Sequence, residues 1–472
     1  MTKKIAKILF LLSIIGCLIL TTMIFINGIL PRKYRILLLL VLILFEILLY
    51  FLLKKSTLYS LSGLILLAFF SILINSFASF YINSGVNALE DINKNQETEE
   101  INMSLVVMKN SKYKTLDDIK DELVKTGLTQ DKKNIIEYGK SLEKEKNISL
   151  NLDDAKTYIN SANLLVDRKT QVILLNESFR SAINDQIEDF NQKTRVIDSL
   201  TEEVNVDDIS KNVAGDESFN VFISGIDTYG ALTRVSRSDV NLILTINPRT
   251  HKMLITTVPR DSYVNIAGGG NNQKDKLTHA GIYGIESSVK TLENLFDIDI
   301  NYYARVNFST FMNLIDVLDG VDLNNDQAFS TATYDFPSGN IHLDGDKALA
   351  FARERYNLKR GDLDRGRNQE KVLKAMIEKS LSPAILLNYN SFLDIIINST
   401  DTNMTRDKII ELINNQIDTG KKWKIDTTEV KGHGQMGLTS YAMPGSNLYM
   451  HVLDDKSINE VSKSIKNTLE EK

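Results

Sequence analysis

Residues 240–258 read VNLILTINPRTHKMLITTV, and this stretch decides the fold of the second half of the chain. Two apolar runs, 240–246 and 252–258, flank the tetrapeptide 247–250, whose proline stands in the second position that a type I turn prefers. The stretch therefore predicts an antiparallel β-hairpin. The run FNVFISGI at 219–226 also alternates, so we expect a third strand antiparallel to the first strand of the hairpin.

Three charged residues stand at the end of this hairpin that lies opposite the turn. Asp239 precedes its first strand and Arg260 follows its second strand, whereas Asp227 follows the run 219–226. Antiparallel pairing of that run with the hairpin brings all three side chains to one edge of the sheet. Each residue alone is typical of a surface ion pair at a strand end, but their joint placement favours a binding site.

The segment 351–372, FARERYNLKRGDLDRGRNQEKV, is rich in arginine. Its arginines, interleaved with four acidic residues, are Arg353, Arg355, Arg360, Arg365 and Arg367. The run LDGDKALAFAR at 343–353 predicts a helix with Asp344 as its N-cap. A turn after this helix would point Arg353 and Arg355 inward together.

A second helix, capped by Asp362 or Asp364, is predicted to end near Ser380. One stripe of this helix holds residues spaced by four, three and four positions: Arg365, Gln369, Val372 and Met376. The stripe is polar at its start and apolar further on, so its polar members are expected at the open end of a core-facing surface. Arg367 is displaced by about 200° around the helix and is expected to face solvent.

Clustered guanidinium groups suit an anion that carries several charges. They bind phosphate in a bidentate manner, and two nearby aspartates can hold Mg²⁺, which bridges to substrate phosphates. Arginines beside an aspartate–metal pair are typical of phosphoryl transfer on a diphosphate. The alternative is a surface network in which the arginines pair with acidic neighbours, namely Glu354, Asp362, Asp364 and Glu370. Spacing alone leaves both interpretations open.

The charge of the chain is distributed unevenly. Its 55 basic and 60 acidic residues give a net charge of −5. Residues 1–83 contain eight Lys or Arg and one acid, Glu46, for a net of +7, so residues 84–472 carry −12. An acidic body excludes nonspecific binding to nucleic acid, and the single cysteine, Cys17, excludes a disulfide framework and a thiolate metal site.

Three apolar runs near the N-terminus each approach the roughly 20 residues that a spanning helix needs, at about 5–27, 36–53 and 60–82. We therefore predict three transmembrane helices within residues 1–83. Five lysines on the side of the N-terminus outnumber three basic residues on the other side, which predicts a cytoplasmic N-terminus and extracellular C-terminal domains. Glu46, inside the second run, is either functional or, as we favour, a protonated carboxyl bonded to a neighbouring helix.

The remaining chain is predicted to form a linker, a small domain and a larger domain. Residues 84–100 have the polar composition of a linker, and residues 101–215 predict a small α/β accessory domain, whose end at 201–218 again has linker composition. Strands of this domain are expected at 103–108 and 171–176, and helices at 115–125, 131–145 and 177–190. Residues 219–472 predict a mixed central β-sheet flanked by helices, so the fold class is α/β.

Four ordered blocks of the sequence resemble the signature of the LytR–CpsA–Psr family. They are SRSDVNLIL at 236–244, TTVPRDSYVNI at 256–266, DKLTHAGIYG at 275–284 and the arginine-rich segment 351–372. The three apolar runs and the extra domain resemble the streptococcal capsule-type members. The resemblance implies a phosphotransferase at the outer face of a Gram-positive membrane. Such an enzyme moves a glycan, here capsular polysaccharide, from a polyprenyl-pyrophosphate carrier to a peptidoglycan hydroxyl.

The resemblance also implies roles for particular residues. Asp227 and Asp239 match the ligands of Mg²⁺ (or Mn²⁺), and Asp362 matches an acidic position that orients arginines. The residues matching pyrophosphate contacts are Arg260, Arg353, Arg355 and Arg365, with Gln369 and Lys276 as further substrate ligands. The family often has paired glutamines where this chain has only Gln369. The lipid tail would lie in an apolar groove lined by helices at 308–318 and 370–381.

The resemblance implies the membrane, peptidoglycan and other capsule-synthesis proteins as partners, and the acidic body of the chain predicts no nucleic-acid partner. Two other functions remain open: a hydrolase that cleaves the lipid pyrophosphate with water, and a membrane regulator without catalytic activity. The sequence does not assign the general base.

Overall fold

The structure is a computed structural model, and it describes residues 2–91, 98–206, 209–226, 233–382, 391–392, 395–396 and 399–472. It begins with three apolar helices: α1 Thr2–Asn27, α2 Arg32–Lys55 and α3 Leu58–Asp91. Within the described ranges, these are the helices long and apolar enough to cross a membrane. They coincide with the three apolar runs of the sequence.

Two details of this bundle bear on the sequence predictions. Ser13 Oγ of α1 donates a hydrogen bond to Glu46 Oε1 of α2 at 2.6 Å, so Glu46 does bond to a neighbouring helix. Helix α3 continues through residues 84–91, which were predicted to belong to a linker. Alanine, leucine and glutamate in this stretch favour a helix, and its polar composition therefore did not end α3.

The accessory domain is built on a five-stranded sheet. Its strands are β1 Thr98–Met108, β2 Leu123–Thr126, β3 Asn151–Asp154, β4 Val172–Asn176 and β5 Thr194–Asn205. They are ordered β3-β2-β4-β1-β5. Its helices are α4 Lys132–Lys146, α5 Tyr158–Val166, α6 Arg180–Gln186 and α7 Phe190–Lys193, with a 3₁₀ turn at Glu177–Phe179. The core of this domain continues into the larger domain through Ile282 and Met443.

The helix predicted near residues 115–125 is wrong. Asp118 accepts hydrogen bonds from the backbone N–H groups of Lys114 and Thr115, which holds the chain in turns there. Residues 123–126 form β2, which pairs with β3 and β4, so tertiary pairing overrides helix propensity. Strand β5 also extends into the segment 201–218 with linker composition, because it pairs with β1 as far as Thr98.

The larger domain contains a mixed six-stranded sheet and several two-stranded ribbons. Its strands are β6 Phe219–Ile226, β7 Ser238–Asn247, β8 Lys252–Thr257, β9 Tyr263–Ile266, β10 Gln273–Lys276, β11 Tyr302–Val306, β12 Val321–Asn325, β13 Phe329–Ser330, β14 Asp335–Phe336, β15 Gly339–Leu343, β16 Asp401–Thr402, β17 Lys424–Glu429, β18 Gly432–Met436 and β19 Tyr449–Leu453. The main sheet is ordered β16-β11-β6-β7-β8-β17. The hairpin β7–β8 and the antiparallel strand β6 are as predicted.

Helices cover both faces of the main sheet. They are α8 Ile285–Phe296, α9 Phe308–Val317, α10 Gly345–Arg353, α11 Asp362–Ser380, α12 Arg406–Thr419 and α13 Asp455–Glu470, with 3₁₀ turns at Gly268–Gly270 and Leu277–Tyr283. Phe222 and Ile243 pack towards α8 and α13 on one face. Leu242 and Leu244 pack towards Leu373 of α11 on the other. The alternation of side chains along β6 and β7 thus produces the predicted α/β architecture.

Candidate functional site

A cavity of about 500 Å³ opens between the main sheet and the helices α9, α10 and α11. The charged residues that line it are Asp185, Arg237, Asp239, Arg260, Arg353, Arg355 and Arg365. With five guanidinium groups and two carboxylates, the described residues of the lining carry a net charge of +3. The arginines from the hairpin and from the arginine-rich segment therefore meet in one place.

Asp239 occupies a β-bulge. Gly225 pairs with Val240 and Ile226 pairs with Ser238, so Asp239 is the extra residue on β7. Neighbours in a regular strand point to opposite faces, but Asp239 and Val240 both line the cavity. A Cβ on Gly225 would come within 2.6 Å of Val240 Cγ2, which explains a glycine opposite the bulge. The bulge thus aims the Asp239 carboxylate at the arginines.

Asp239 is ion-paired with Arg260. Arg260 Nη1 lies 2.8 Å from Asp239 Oδ1, and the hydroxyl of Thr278 donates to the same oxygen at 3.0 Å. Burial raises the pKa of Asp239, but Arg260, Arg237 and Arg365 outweigh it, so the pKa is lowered overall. The carboxylate is therefore ionised at neutral pH. In this state it can bind a cation but cannot donate a proton.

Arg353 and Arg355 lie exposed at the mouth of the cavity. Helix α10 begins after Asp344, whose side chain accepts a hydrogen bond from the backbone N–H of Lys347, as predicted. It ends at Arg353, whose guanidinium carbon lies 4.2 Å from the ring centroid of Phe308 in a cation–π contact. The chain turns there and brings Arg355 to the same cavity, also as predicted.

Arg365 lies buried in the first turn of α11 and pairs with Asp362. The N-cap of α11 is Gly361 with a φ of 53°, so the prediction that Asp362 or Asp364 caps this helix is wrong. Both acids lie in the first turn instead, where a negative charge is favourable to the helix dipole. Burial raises the pKa of Asp362, and the opposing effect of Arg365 does not cancel it.

Three of the four residues in the stripe predicted for α11 line the cavity, namely Arg365, Gln369 and Met376. Val372 instead belongs to the buried cluster that contains Phe351. Gln369 Nε2 donates a hydrogen bond to the carbonyl oxygen of Ala352 at 3.2 Å. This bond ties α11 to the end of α10, so Gln369 helps to position the mouth arginines. Arg367 is exposed and pairs with Glu429, as the helical angle predicted.

The arginines of the arginine-rich segment divide into two groups. Arg360 pairs with Asp364 at 2.6 Å and belongs, like Arg367, to a surface ion-pair network. The other arginines of the segment line the cavity: Arg353, Arg355 and Arg365. Spacing alone could not divide them, because the division depends on the turn between α10 and α11.

Arg237 and Asp185 were missed by the sequence analysis. Arg237 is buried, and its Nη1 lies 2.7 Å from Asp185 Oδ2, while its Nη2 donates to Ser181 Oγ at 2.6 Å. Arg237 stands two residues before Asp239 at the same end of the hairpin, which was a usable signal. Asp185 comes from α6 of the accessory domain, and no local pattern connects it with the cavity.

Two predicted site residues, Lys276 and Asp362, are not among the described residues that line the cavity. Lys276 Nζ pairs with Asp261 Oδ1 at 2.7 Å, and Asp362 pairs with the lining residue Arg365. Asp227 lies outside the described residues. The roles of Lys276 as a substrate ligand, of Asp362 in orienting arginines and of Asp227 as a metal ligand stay predictions.

The fit of the site to Mg²⁺ or Mn²⁺ rests on Asp239. Its carboxylate is a hard oxygen ligand, but Arg260 and Thr278 already engage one of its oxygens. Across the residues that the structure describes, no group of three or more His, Cys, Asp or Glu side chains could hold a metal ion. The described side chains alone do not complete a cation site, so the metal also stays a prediction.

The rest of the cavity wall is largely apolar. The sheet contributes Ile223 and Leu242, α9 contributes Phe311 and Leu314, and α11 contributes Leu373. Helices α9 and α11 are the two that were expected to line an apolar groove. The cavity therefore joins a strongly cationic end to an apolar channel, which is the shape of a site for an anionic amphiphile.

Comparison with known proteins agrees with the sequence blocks. A family model described as the LytR_cpsA_psr family matches residues 183–467, more than half of the 472 residues. The chain belongs to the LytR–CpsA–Psr family. The matched range begins just before Asp185 and includes all the arginines of the cavity. A second model, described as DNA polymerase processivity factor, matches residues 60–175 and covers too little of the chain to establish membership.

Relatives of this LytR–CpsA–Psr protein are named as transferases. It is 33% identical over 296 residues to the polyisoprenyl-teichoic acid–peptidoglycan teichoic acid transferase TagU of Oceanobacillus iheyensis, a match covering 60% of this chain and 88% of the relative. It is 38% identical over 216 residues to the enzyme of that name from Bacillus cereus, covering 46% and 67%. The crystal structure of B. subtilis TagV aligns with a TM-score of 0.47 and 28% identity, covering 54% of this chain and 98% of that one.

Proposed function

We propose that this protein is a membrane-anchored transferase that moves a polyprenyl-pyrophosphate-linked glycan to a hydroxyl of peptidoglycan. The observation that carries the proposal is the cavity in which five arginines border an apolar channel. A polyprenyl pyrophosphate has the matching parts, an anionic diphosphate and a long apolar tail. The family membership and the transferase names of the relatives support the same reaction class.

In the proposed complex, the diphosphate lies among the guanidinium groups and the prenyl chain lies between α9 and α11. Arg260 is held by Asp239 and Arg365 is paired with Asp362, so both guanidinium groups are positioned before the substrate arrives. Positioned cations stabilise the charge that develops on the phosphate oxygens in the transition state. The exposed Arg353 and Arg355 are placed to contact the diphosphate from the open side.

The proposed reaction is a phosphoryl transfer. An acceptor hydroxyl attacks the phosphorus that bears the glycan, the bond from that phosphorus to the bridging oxygen breaks, and polyprenyl phosphate leaves with the electron pair. The acceptor proton passes to a base that remains unassigned. Mg²⁺, if held by Asp239 and Asp227 as the family resemblance implies, would supply further neutralisation of the phosphates.

The glycan and the side of the membrane complete the proposal. The names of the relatives favour teichoic acid as the transferred polymer, whereas the three-span layout with an accessory domain, which resembles capsule-type family members, favours capsular polysaccharide. We place the larger domain outside the cell because of the distribution of lysine and arginine around the helices. Labelling of cysteines introduced in the larger domain of intact cells by an impermeant reagent tests this orientation.

The test of the function is reconstitution of the full chain with a labelled lipid-linked glycan, with and without peptidoglycan. Donors carrying teichoic acid and capsular polysaccharide are compared side by side. Covalent labelling of peptidoglycan is the expected result. Release of a phosphorylated glycan at the same rate without an acceptor would identify a hydrolase, and no turnover of either donor would favour a regulator.

A further inference from the structure

A second cavity, of about 710 Å³, lies between the accessory domain and the larger domain. It shares no lining residue with the first cavity. The accessory domain contributes Thr129, Lys156 and Thr157, and the larger domain contributes Tyr263, Lys274 and Tyr441. We call it the interdomain cleft. Among its described lining residues are hydroxyl and amide groups, two tyrosines and two lysines, and there is no carboxylate.

The chemistry of the cleft differs from that of a lipid or nucleotide site. Hydroxyl and amide side chains donate and accept hydrogen bonds at many angles, and tyrosine rings add flat apolar surface with a polar edge. This combination suits the alternating hydroxyl groups and C–H faces of a sugar chain. Asp154 lies beside the cleft, where it accepts hydrogen bonds from Thr129 and from the backbone N–H of Lys156. Within the described part of the chain, the ammonium groups of Lys156 and Lys274 form no ion pair with a carboxylate, so the lining itself favours negative charge on that chain.

The walls of the cleft are fixed before any ligand binds. Gln130 Nε2 donates to the carbonyl of Ala442 at 2.8 Å, and its Oε1 accepts from the N–H of Tyr158 at 2.9 Å, which joins the two domains. The buried Asp275 accepts hydrogen bonds from the hydroxyl of Ser440 at 2.8 Å and from the N–H of Ala442 at 2.7 Å. A rigid, polar cleft at a domain interface is a common form of binding site.

The ribbon β9–β10 runs between the two cavities. Tyr263 of the cleft follows Arg260 of the first cavity by three residues, so their Cα atoms lie within about 11 Å. Lys274 Nζ lies 5.3 Å from the ring centroid of Tyr263, so a positive charge stands beside this tyrosine on the cleft side of the ribbon. A chain bound in the cleft therefore lies close to the arginines of the first cavity.

We propose that the interdomain cleft binds an anionic saccharide chain that reaches from the first cavity. The source of this chain, either the glycan of the donor or the peptidoglycan acceptor, is inferred from the proposed function. The binding of an anionic saccharide is inferred from the residues of the cleft. Both sources are polyhydroxylated chains with phosphate or carboxylate groups. The accessory domain then has a role in the reaction, because it forms one wall of the cleft.

The experiment measures binding of soluble probes to the full chain in lipid nanodiscs, without a lipid-linked donor. The probes are a teichoic acid oligomer, a peptidoglycan disaccharide-pentapeptide and neutral maltohexaose. One anionic probe is expected to bind, and Lys274→Glu should weaken it about tenfold because one charge-assisted hydrogen bond is replaced by repulsion. Tyr441→Ala should also weaken it. Lys140→Glu, an exposed lysine of α4, is the matched control and should leave binding unchanged.

The anionic probe that binds identifies the source of the saccharide chain. Filling the first cavity with polyprenyl phosphate should not displace the probe. Absence of binding by both anionic probes, equal binding of maltohexaose, displacement by polyprenyl phosphate, or equal effects of the two lysine variants would each overturn the assignment. This experiment measures binding and not transfer. A failure of the proposed transferase function and a failure of the proposed saccharide site therefore give different results.

Discussion

The two cavities of this protein differ in the kind of positive charge that they present and in what surrounds it. The first holds guanidinium groups fixed by carboxylates beside an apolar channel. The interdomain cleft holds two lysines among hydroxyl groups, amides and tyrosines. Guanidinium groups in a fixed fork select phosphate geometry, whereas ammonium groups on flexible stems act as point charges. The difference is the reason for our proposal that a lipid diphosphate and a sugar chain occupy neighbouring but separate sites.

The largest expected effect comes from the first cavity. Arg365→Ala removes a buried guanidinium from the proposed diphosphate site and should lower the rate of glycan transfer by about 10²–10³-fold. Arg365→Lys keeps the charge but loses the planar fork, and should recover only part of the rate. The rate is measured with labelled lipid-linked glycan and peptidoglycan.

Arg367→Ala is the matched control, because Arg367 lies on the same helix but faces solvent and pairs with Glu429. Its stability should change by less than about 1 kcal/mol, and its transfer rate should stay near that of the wild type. Equal losses in the Arg365 and Arg367 variants would mean that the segment supports the fold and does not bind the diphosphate.

Asp239→Asn is expected to have the next largest effect, in this case on the stability of the protein. It leaves Arg260 buried without its carboxylate, which should lower the free energy of unfolding by about 3 kcal/mol. Asp418→Asn, which removes the partner of Lys33 in an exposed pair, is the control and should leave the unfolding temperature near that of the wild type. Thermal unfolding in nanodiscs compares the two. A stable Asp239→Asn protein would show that the ion pair is not what holds Arg260.

The apolar channel gives a smaller effect. Leu373→Glu places a charge where the prenyl tail is proposed to lie, and affinity for a long-chain polyprenyl phosphate should fall at least about tenfold. Affinity for a short prenyl phosphate should change little, since its few carbons would not extend as far as Leu373. The control is Leu123→Glu, at an exposed leucine of the accessory sheet. Equal affinity of the Leu373 variant for the long chain would place the tail elsewhere.

The smallest effect concerns acid stability of the interdomain cleft. Burial raises the pKa of Asp275, but His279 and the hydrogen bonds from Ala442 and Ser440 outweigh it and lower the pKa overall. A folded-state pKa below the unfolded value of about 3.9 stabilises the protein above that pH, and the stabilisation is lost as the pH falls through the folded pKa. Asp275 therefore stays ionised between about pH 5 and 7, and its titration should not change probe binding at the cleft in this range.

Thermal unfolding at a series of pH values checks this sign. The wild-type midpoint should fall as the pH drops below about 4, and part of that fall should be missing in Asp275→Asn. A variant whose midpoint keeps the full wild-type dependence on pH would show that Asp275 is not the group that titrates.

Local patterns in the sequence predicted the hairpin, the neighbouring strand β6 and the stripe of α11. These features depend on alternation, on a proline in a turn and on helical spacing, all of which are short-range. The Asp239 bulge escaped prediction because one extra residue in a strand leaves no mark in an apolar pattern. The Arg237–Asp185 contact escaped because it joins two domains.

The helix caps show the same limit. Asp344 caps α10 as predicted, but α11 begins one residue earlier than a capping Asp362 would allow, since Gly361 takes a left-handed conformation that few other residues adopt easily. The sequence therefore predicted which charged residues matter. It did not predict how the chain turns between them, and that turn separates the arginines of the site from those of the surface network.

The central claim is that the first cavity holds a polyprenyl diphosphate with its head among the arginines and its tail in the channel. Mass spectrometry of lipids that remain bound to the full chain after purification from bacterial membranes tests it most directly. We expect a polyprenyl phosphate or pyrophosphate in the wild type, lost in both Arg365→Ala and Leu373→Glu and retained in Arg367→Ala. Ordinary phospholipids alone, held equally by all four proteins, would contradict it.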